Sequence, residues 1–66
     1  MKNSIRIERA IKDMTQEQLA NEVSVSRQTI NAMEANKYVP STILSMKIAR
    51  VFNKKVEDIF TLEKGD

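Results

Sequence analysis

Sixty-six residues make one small domain with no room for a second, and the absence of cysteine and histidine excludes a disulfide framework, a zinc finger, a thiol nucleophile and a histidine-based triad. A 41% hydrophobic fraction is too high for a disordered chain, and one glycine with one proline gives too few turn residues for a β-sandwich or barrel, so the chain is expected to be mainly helical. The formal charge of +2 divides into a basic body, ten Lys and Arg against five acids up to residue 56, and an acidic tail, one Lys against four acids from residue 57; that balance suits a polyanionic partner, or a plain solubilising surface.

In the first helix, expected over Ser4 to Asp13, Ile7, Ala10, Ile11 and Met14 recur at helical spacing among Arg6, Arg9, Lys12 and Asp13. Thr15 and Gln18 stand at the N-cap and N3 spacing of a capping box, which opens a second helix with Leu19, Ala20 and Val23 as its apolar stripe. Ser24-Val25-Ser26 interrupts the pattern, and Ser26 can cap a third helix from Arg27 to about Ala35. Only Ile30 and Met33 are large and apolar in it; Arg27, Gln28, Asn31, Ala32 and Ala35 form its other face. Asn36 to Pro40 reads as a loop, extended just before the proline. Ser41 can cap a fourth helix to about Phe52, with Leu44, Ile48, Ala49, Val51 and Phe52 inward. A short fifth helix, Val56 to about Phe60, opens on Glu57 and Asp58, where the helix dipole favours acids. No internal repeat, low-complexity stretch, membrane-length apolar run or signal-peptide core is present, and a cytoplasmic location is expected.

The second helix, its turn and the third helix carry the functional signal. Ala20 permits close approach, Val25 buries the turn, Ser26 caps the next helix and Ile30 pins it to the core. These demands define a helix-turn-helix, at about residues 15–35, whose second helix projects as a rod that fits the major groove. Here the chain resembles the Cro/cI-type, or XRE-like, helix-turn-helix regulators. The resemblance runs from Thr15-Gln16-Glu17-Gln18-Leu19-Ala20 through Val25 to Glu34, then through Asn36 to Ser41 and Lys47 to Phe52. It implies a compact all-α domain of five helices. Met1 to Asn3 and Phe60 to Glu63 can add a small antiparallel ribbon. Two positions depart from the family pattern. Ser24 stands where glycine is usual, at a left-handed turn position. Glu8 stands where leucine is common, so the first helix is expected to lean Ile7 and Ile11 inward instead.

Each functional residue has a plainer reading beside it. Arg27 and Gln28 alone are compatible with ordinary solvated residues; inside the motif their face is fixed outward. Arg27 can then pair with guanine O6 and N7, and Gln28 with adenine N6 and N7. Asn31, one turn on, can read an adenine or bridge through water. Gln16 at the start of the second helix suits a phosphate, or packs the helix start. Ser26, Thr29, Asn36, Lys37 and Tyr38 are phosphate candidates implied by the resemblance, Tyr38 equally a loop anchor. Arg9 and Glu34 match positions that form a semi-buried ion pair in similar proteins; the alternative is two separate surface charges. Lys54 and Lys55 read as solvated charges, and the four methionines as flexible core filler.

No carboxylate pair suits catalysis, and with glycine only at position 65 no phosphate-cradling loop is available, so neither an enzyme nor a cofactor nor a metal is expected. Tyr38 alone cannot supply the stacking platforms of single-strand binding. The expected function is sequence-specific binding of double-stranded DNA by a homodimeric regulator, a repressor on a palindromic operator, with no small-molecule effector domain evident. The alternative is a protein-interaction module, such as an antitoxin that neutralises a partner protein. One recognition helix covers too few base pairs to specify an operator; a two-fold dimer places two of them roughly 34–36 Å apart. Val39 beside Pro40, with Val56, Ile59 and Phe60 crowded on a helix of little more than one turn, looks like hydrophobic surplus for that dimer. The resemblance places Val39 and Val56 at its two-fold axis.

Overall fold

The computed structural model describes residues 1–66. Five helices follow in chain order, α1 (Ile5–Ile11), α2 (Gln16–Val23), α3 (Arg27–Glu34), α4 (Thr42–Val51) and α5 (Val56–Ile59), between two short strands, β1 (Lys2–Asn3) and β2 (Phe60–Thr61). The strands form the expected antiparallel ribbon, Lys2 opposite Thr61 and Asn3 opposite Phe60. No helix is long and apolar enough to cross a membrane.

Local chemistry starts the helices. Thr15 Oγ1 accepts from the Gln18 amide at 3.0 Å while Gln18 Oε1 accepts from the Thr15 amide at 2.8 Å, completing the capping box. Ser26 and Ser41 accept from the amides of Thr29 and Leu44 in the same way. The ends of α1 to α4 share one device. Asp13, Ser24, Asn36 and Asn53 all adopt left-handed backbone, φ between 53° and 61°. The residue after each donates its amide to the carbonyl five positions back, Met14 to Arg9, Val25 to Ala20, Lys37 to Ala32 and Lys54 to Ala49. These are Schellman closures made without glycine. Asn and Asp tolerate that conformation because a short polar side chain bonds locally; serine is the least suited of the four.

α2 packs on α3 and α4, and α4 on α5. Ile5, Leu19, Ile30, Met33, Ile48 and Ile59 are buried at its centre. Each helix thus contributes at least one side chain, which is how so short a chain closes a core.

Three expectations are corrected. Ile7 and Ile11 do not turn inward; they are 62% and 71% exposed, and Glu8 is buried instead. Ile5 and Arg9 lie one turn apart and fix the rotation of α1, Ile5 in the core and Arg9 on Glu34. Ile7 and Ile11 lie on the opposite face of that helix. Glu8 is tolerated inside because Lys54 Nζ meets its Oε2 at 2.6 Å, so Lys54 is not a free surface charge. Finally, Ile59 and Phe60 are not surplus. They are 1% and 7% exposed within the single chain, because the ribbon draws the end of α5 back over the core, with the Ser4 amide donating to the Ile59 carbonyl at 2.9 Å.

Candidate nucleic-acid interface

The turn between α2 and α3 sets the direction of the exposed helix. Ser24 has φ 61° and ψ 43°, Val25 packs partly against the core, and Ser26 caps α3. Ile30 and Met33 anchor α3 from below, and Arg27, Gln28 and Asn31 stand exposed on the opposite side. Asn3 adds a clamp that the sequence reading missed. Its Nδ2 donates to the Met33 carbonyl at 2.8 Å, tying the ribbon to the C-terminal end of α3. No local pattern marks that contact, since the partners are 30 residues apart.

Behind the exposed face lies a charged frame. Arg9 Nε and Nη2 meet Glu34 Oε2 and Oε1 at 2.6 and 3.0 Å, a two-point pairing that joins α1 to α3. Arg9 Nη1 also donates to the Met14 carbonyl at 2.8 Å. The Glu34 side chain is 1% exposed. Burial pushes its carboxyl up, but hydrogen bonds from Arg9 and Gln16 and the charges of Arg9 and Arg6 outweigh burial and hold it below the ordinary glutamate range. Arg6, which the sequence reading treated only as a spacer, reaches Glu34 Oε1 at 3.6 Å while remaining largely exposed. Its place three residues before Arg9 was the available signal.

Gln16 links this frame to the exposed face. Its Nε2 donates to Glu34 Oε1 at 3.1 Å and to Asn31 Oδ1 at 3.3 Å, and its Oε1 accepts from Arg27 Nη1 at 3.5 Å. Gln16, Arg27, Asn31, Glu34 and Arg9 therefore form one connected group. Ser26 and Thr29 hold each other, their side-chain oxygens 2.9 Å apart. Gln28, Asn36, Lys37 and Tyr38 stand outside both groups, exposed on α3 and on the loop after it.

Residues 5–59 match the helix-turn-helix family. The chain belongs to that family. Its relatives include an uncharacterized HTH-type transcriptional regulator of Methanocaldococcus jannaschii, 52% identical over 66 residues, all of both chains. Another, from Archaeoglobus fulgidus, is 52% identical over all of this chain and 93% of its own. The Bacillus subtilis regulator YgzD, also called uncharacterized and HTH-type, is 45% identical over 64 residues, 97% of each chain. The XRE-like resemblance seen in the sequence is thus a family relationship spanning the chain.

Proposed function

We propose that this chain is a transcriptional regulator that binds double-stranded DNA sequence-specifically, with residues 1–66 as one DNA-binding domain and α3 as its reading helix. One observation carries the reading. α3 is held from behind by the Arg9–Glu34 pair and by Ile30 and Met33, while its first turns present Arg27, Gln28 and Asn31 to solvent. Rigidity on one side and polar, hydrogen-bonding side chains on the other suit direct readout in a major groove. The helix-turn-helix regulators it is related to support the same reading. Arg27 is assigned to guanine, Gln28 to adenine, and Ser26, Thr29, Lys37, Asn36 and Tyr38 to the flanking phosphates. Gln16 both supports the reading side chains and presents its helix start to a phosphate.

The finer part of the proposal is a repressor that acts as a homodimer on a palindromic operator and excludes competing proteins by occupying it. Val39 is 66% exposed and Val56 half-buried, and Ile43 and Met46 on the outer face of α4 are 69% and 59% exposed. These four, in place of Ile59 and Phe60, are the side chains assigned to the two-fold contact. Selection of bound duplexes from a random DNA pool tests the proposal. The expected product is a symmetric motif with half-sites about 10 base pairs apart. No enrichment over the starting pool contradicts DNA readout, and enrichment of an unpaired half-site contradicts the dimer.

A further inference from the structure

The amide of Gln16 has one orientation that suits its neighbours, and that orientation decides which edge of Asn31 faces outward. The Glu34 carboxylate only accepts hydrogen bonds, so the Gln16 atom 3.1 Å from it is the donor Nε2. The Arg27 guanidinium only donates, so the Gln16 atom facing it at 3.5 Å is the acceptor Oε1. Reversing the amide would set oxygen against carboxylate and N–H against guanidinium. With one Nε2 proton on Glu34, the second points at Asn31, and the Asn31 atom that meets it at 3.3 Å is Oδ1. Asn31 Nδ2 keeps both of its donors free, while Oδ1 has committed one of its two acceptor sites to Gln16.

We infer that Asn31 reads DNA as a donor, its oxygen retained by Gln16, and that the base it faces is guanine, whose O6 and N7 are adjacent acceptors for both Nδ2 protons where thymine offers O4 alone. The inference rests on the DNA-binding reading given above. Pairing with adenine in the usual two-point manner needs the Asn31 oxygen turned toward adenine N6, where it competes with the bond to Gln16. Cytosine offers only its N4 donor to that edge, donor against donor. Gln16 is therefore a positioning residue for specificity: it fixes the polarity of Asn31 without having to touch the base.

The test measures affinity on the selected duplex with each of the four bases at the Asn31 position, found as the position where Asn31→Ala removes discrimination. The wild-type chain is expected to prefer guanine over adenine and cytosine by about tenfold. Asn31→Asp keeps an oxygen toward Gln16 and turns an acceptor outward, so preference passes to cytosine. Gln16→Met frees the Asn31 oxygen, so adenine rises toward guanine. Circular dichroism checks that each variant is folded. Asn31 is exposed, so its two variants carry the test even if Gln16→Met loses structure. A wild-type preference for adenine, cytosine or thymine overturns the inference, as does an Asn31→Ala loss equal on all four bases. A chain that enriches no duplex at all overturns the DNA-binding reading as well; a defined site with adenine here overturns only the inference.

Discussion

Arg27 opens α3 with its side chain exposed and only a long hydrogen bond to Gln16 holding it. A guanidinium so placed can exchange that bond for guanine O6 and N7 with little loss. Arg27→Ala is expected to cost about 1–3 kcal/mol on the selected site and to relax specificity at one base position, measured by titration against single-base variants of the duplex. Lys37, in the loop after α3, is proposed for the other class of contact, with phosphate. Lys37→Ala should weaken all duplexes alike and reduce the salt dependence by about one counterion. An unchanged salt slope would remove it from the phosphate set. Arg9 and Glu34 act from behind. Removing one member of a buried pair strands the other, at a cost of about 3–5 kcal/mol where water cannot reach it. A double-mutant cycle with Arg9→Met and Glu34→Gln should give clear coupling; zero coupling would mean two independent charges. Because the folded Glu34 pKa is depressed from its ordinary 4.5, its contribution is present in full above that value and is lost as pH falls through the folded value. Urea unfolding of Glu34→Gln should therefore show a flatter acid decline than the wild-type chain.

Among the elements, α1 and the turn before α3 carry the clearest stability predictions. Glu8 is buried while Lys54 is 44% exposed along its side chain. Lys54→Met leaves the carboxylate without its partner and should destabilise by about 1–2 kcal/mol, less than a fully buried pair because water reaches the site. Glu8→Leu lets Lys54 return to solvent and fills the position with apolar volume, so it should be neutral or raise Tm. A Tm fall in Glu8→Leu as large as that in Lys54→Met would contradict this account of α1. At Ser24, φ of 61° disfavours a side chain by about 1–2 kcal/mol, and glycine's extra unfolded-state freedom returns roughly half of that. Ser24→Gly should stabilise by about 0.5–1 kcal/mol in thermal unfolding. These elements also divide what the sequence revealed from what it hid. The starts of α2, α3 and α4 were legible because Thr15, Ser26 and Ser41 act on amides within three residues. So was the exposed face of α3, once Ile30 and Met33 had been assigned to the core. The rotation of α1 was hidden because the partner of Glu8 lies 46 residues away. The bridging role of Gln16 was hidden for the same reason, since Glu34 is 18 residues on and on another helix. The burial of Ile59 and Phe60 depends on a ribbon whose strands come from opposite ends of the chain, so the local crowding of hydrophobes around Val56 was misleading.

For the molecule as a whole, the reading side chains and the exposed apolar side chains lie on different helices. Arg27, Gln28 and Asn31 stand on α3, Ile43 and Met46 on α4, and the loop that joins the two helices carries both Lys37 and Val39. The proposed DNA-reading side chains of α3 and the proposed pairing side chains of α4 therefore lie on separate helices. Sedimentation at tens of micromolar should give twice the subunit mass, and Ile43→Glu, at a position 69% exposed, should return it to one subunit without loss of fold. A wild-type chain that remains at one subunit mass leaves only dimerisation on the operator. The central claim, that α3 reads base edges from a frame set by α1 and α2, is tested most directly by amide chemical-shift mapping during titration with the selected duplex. The largest shifts are expected at Gln16, from Ser26 to Asn31, and from Asn36 to Tyr38, saturating at one half-site per chain. Shifts confined to the exposed face of α4 and to Asn53–Lys55, with α3 unperturbed, would contradict it.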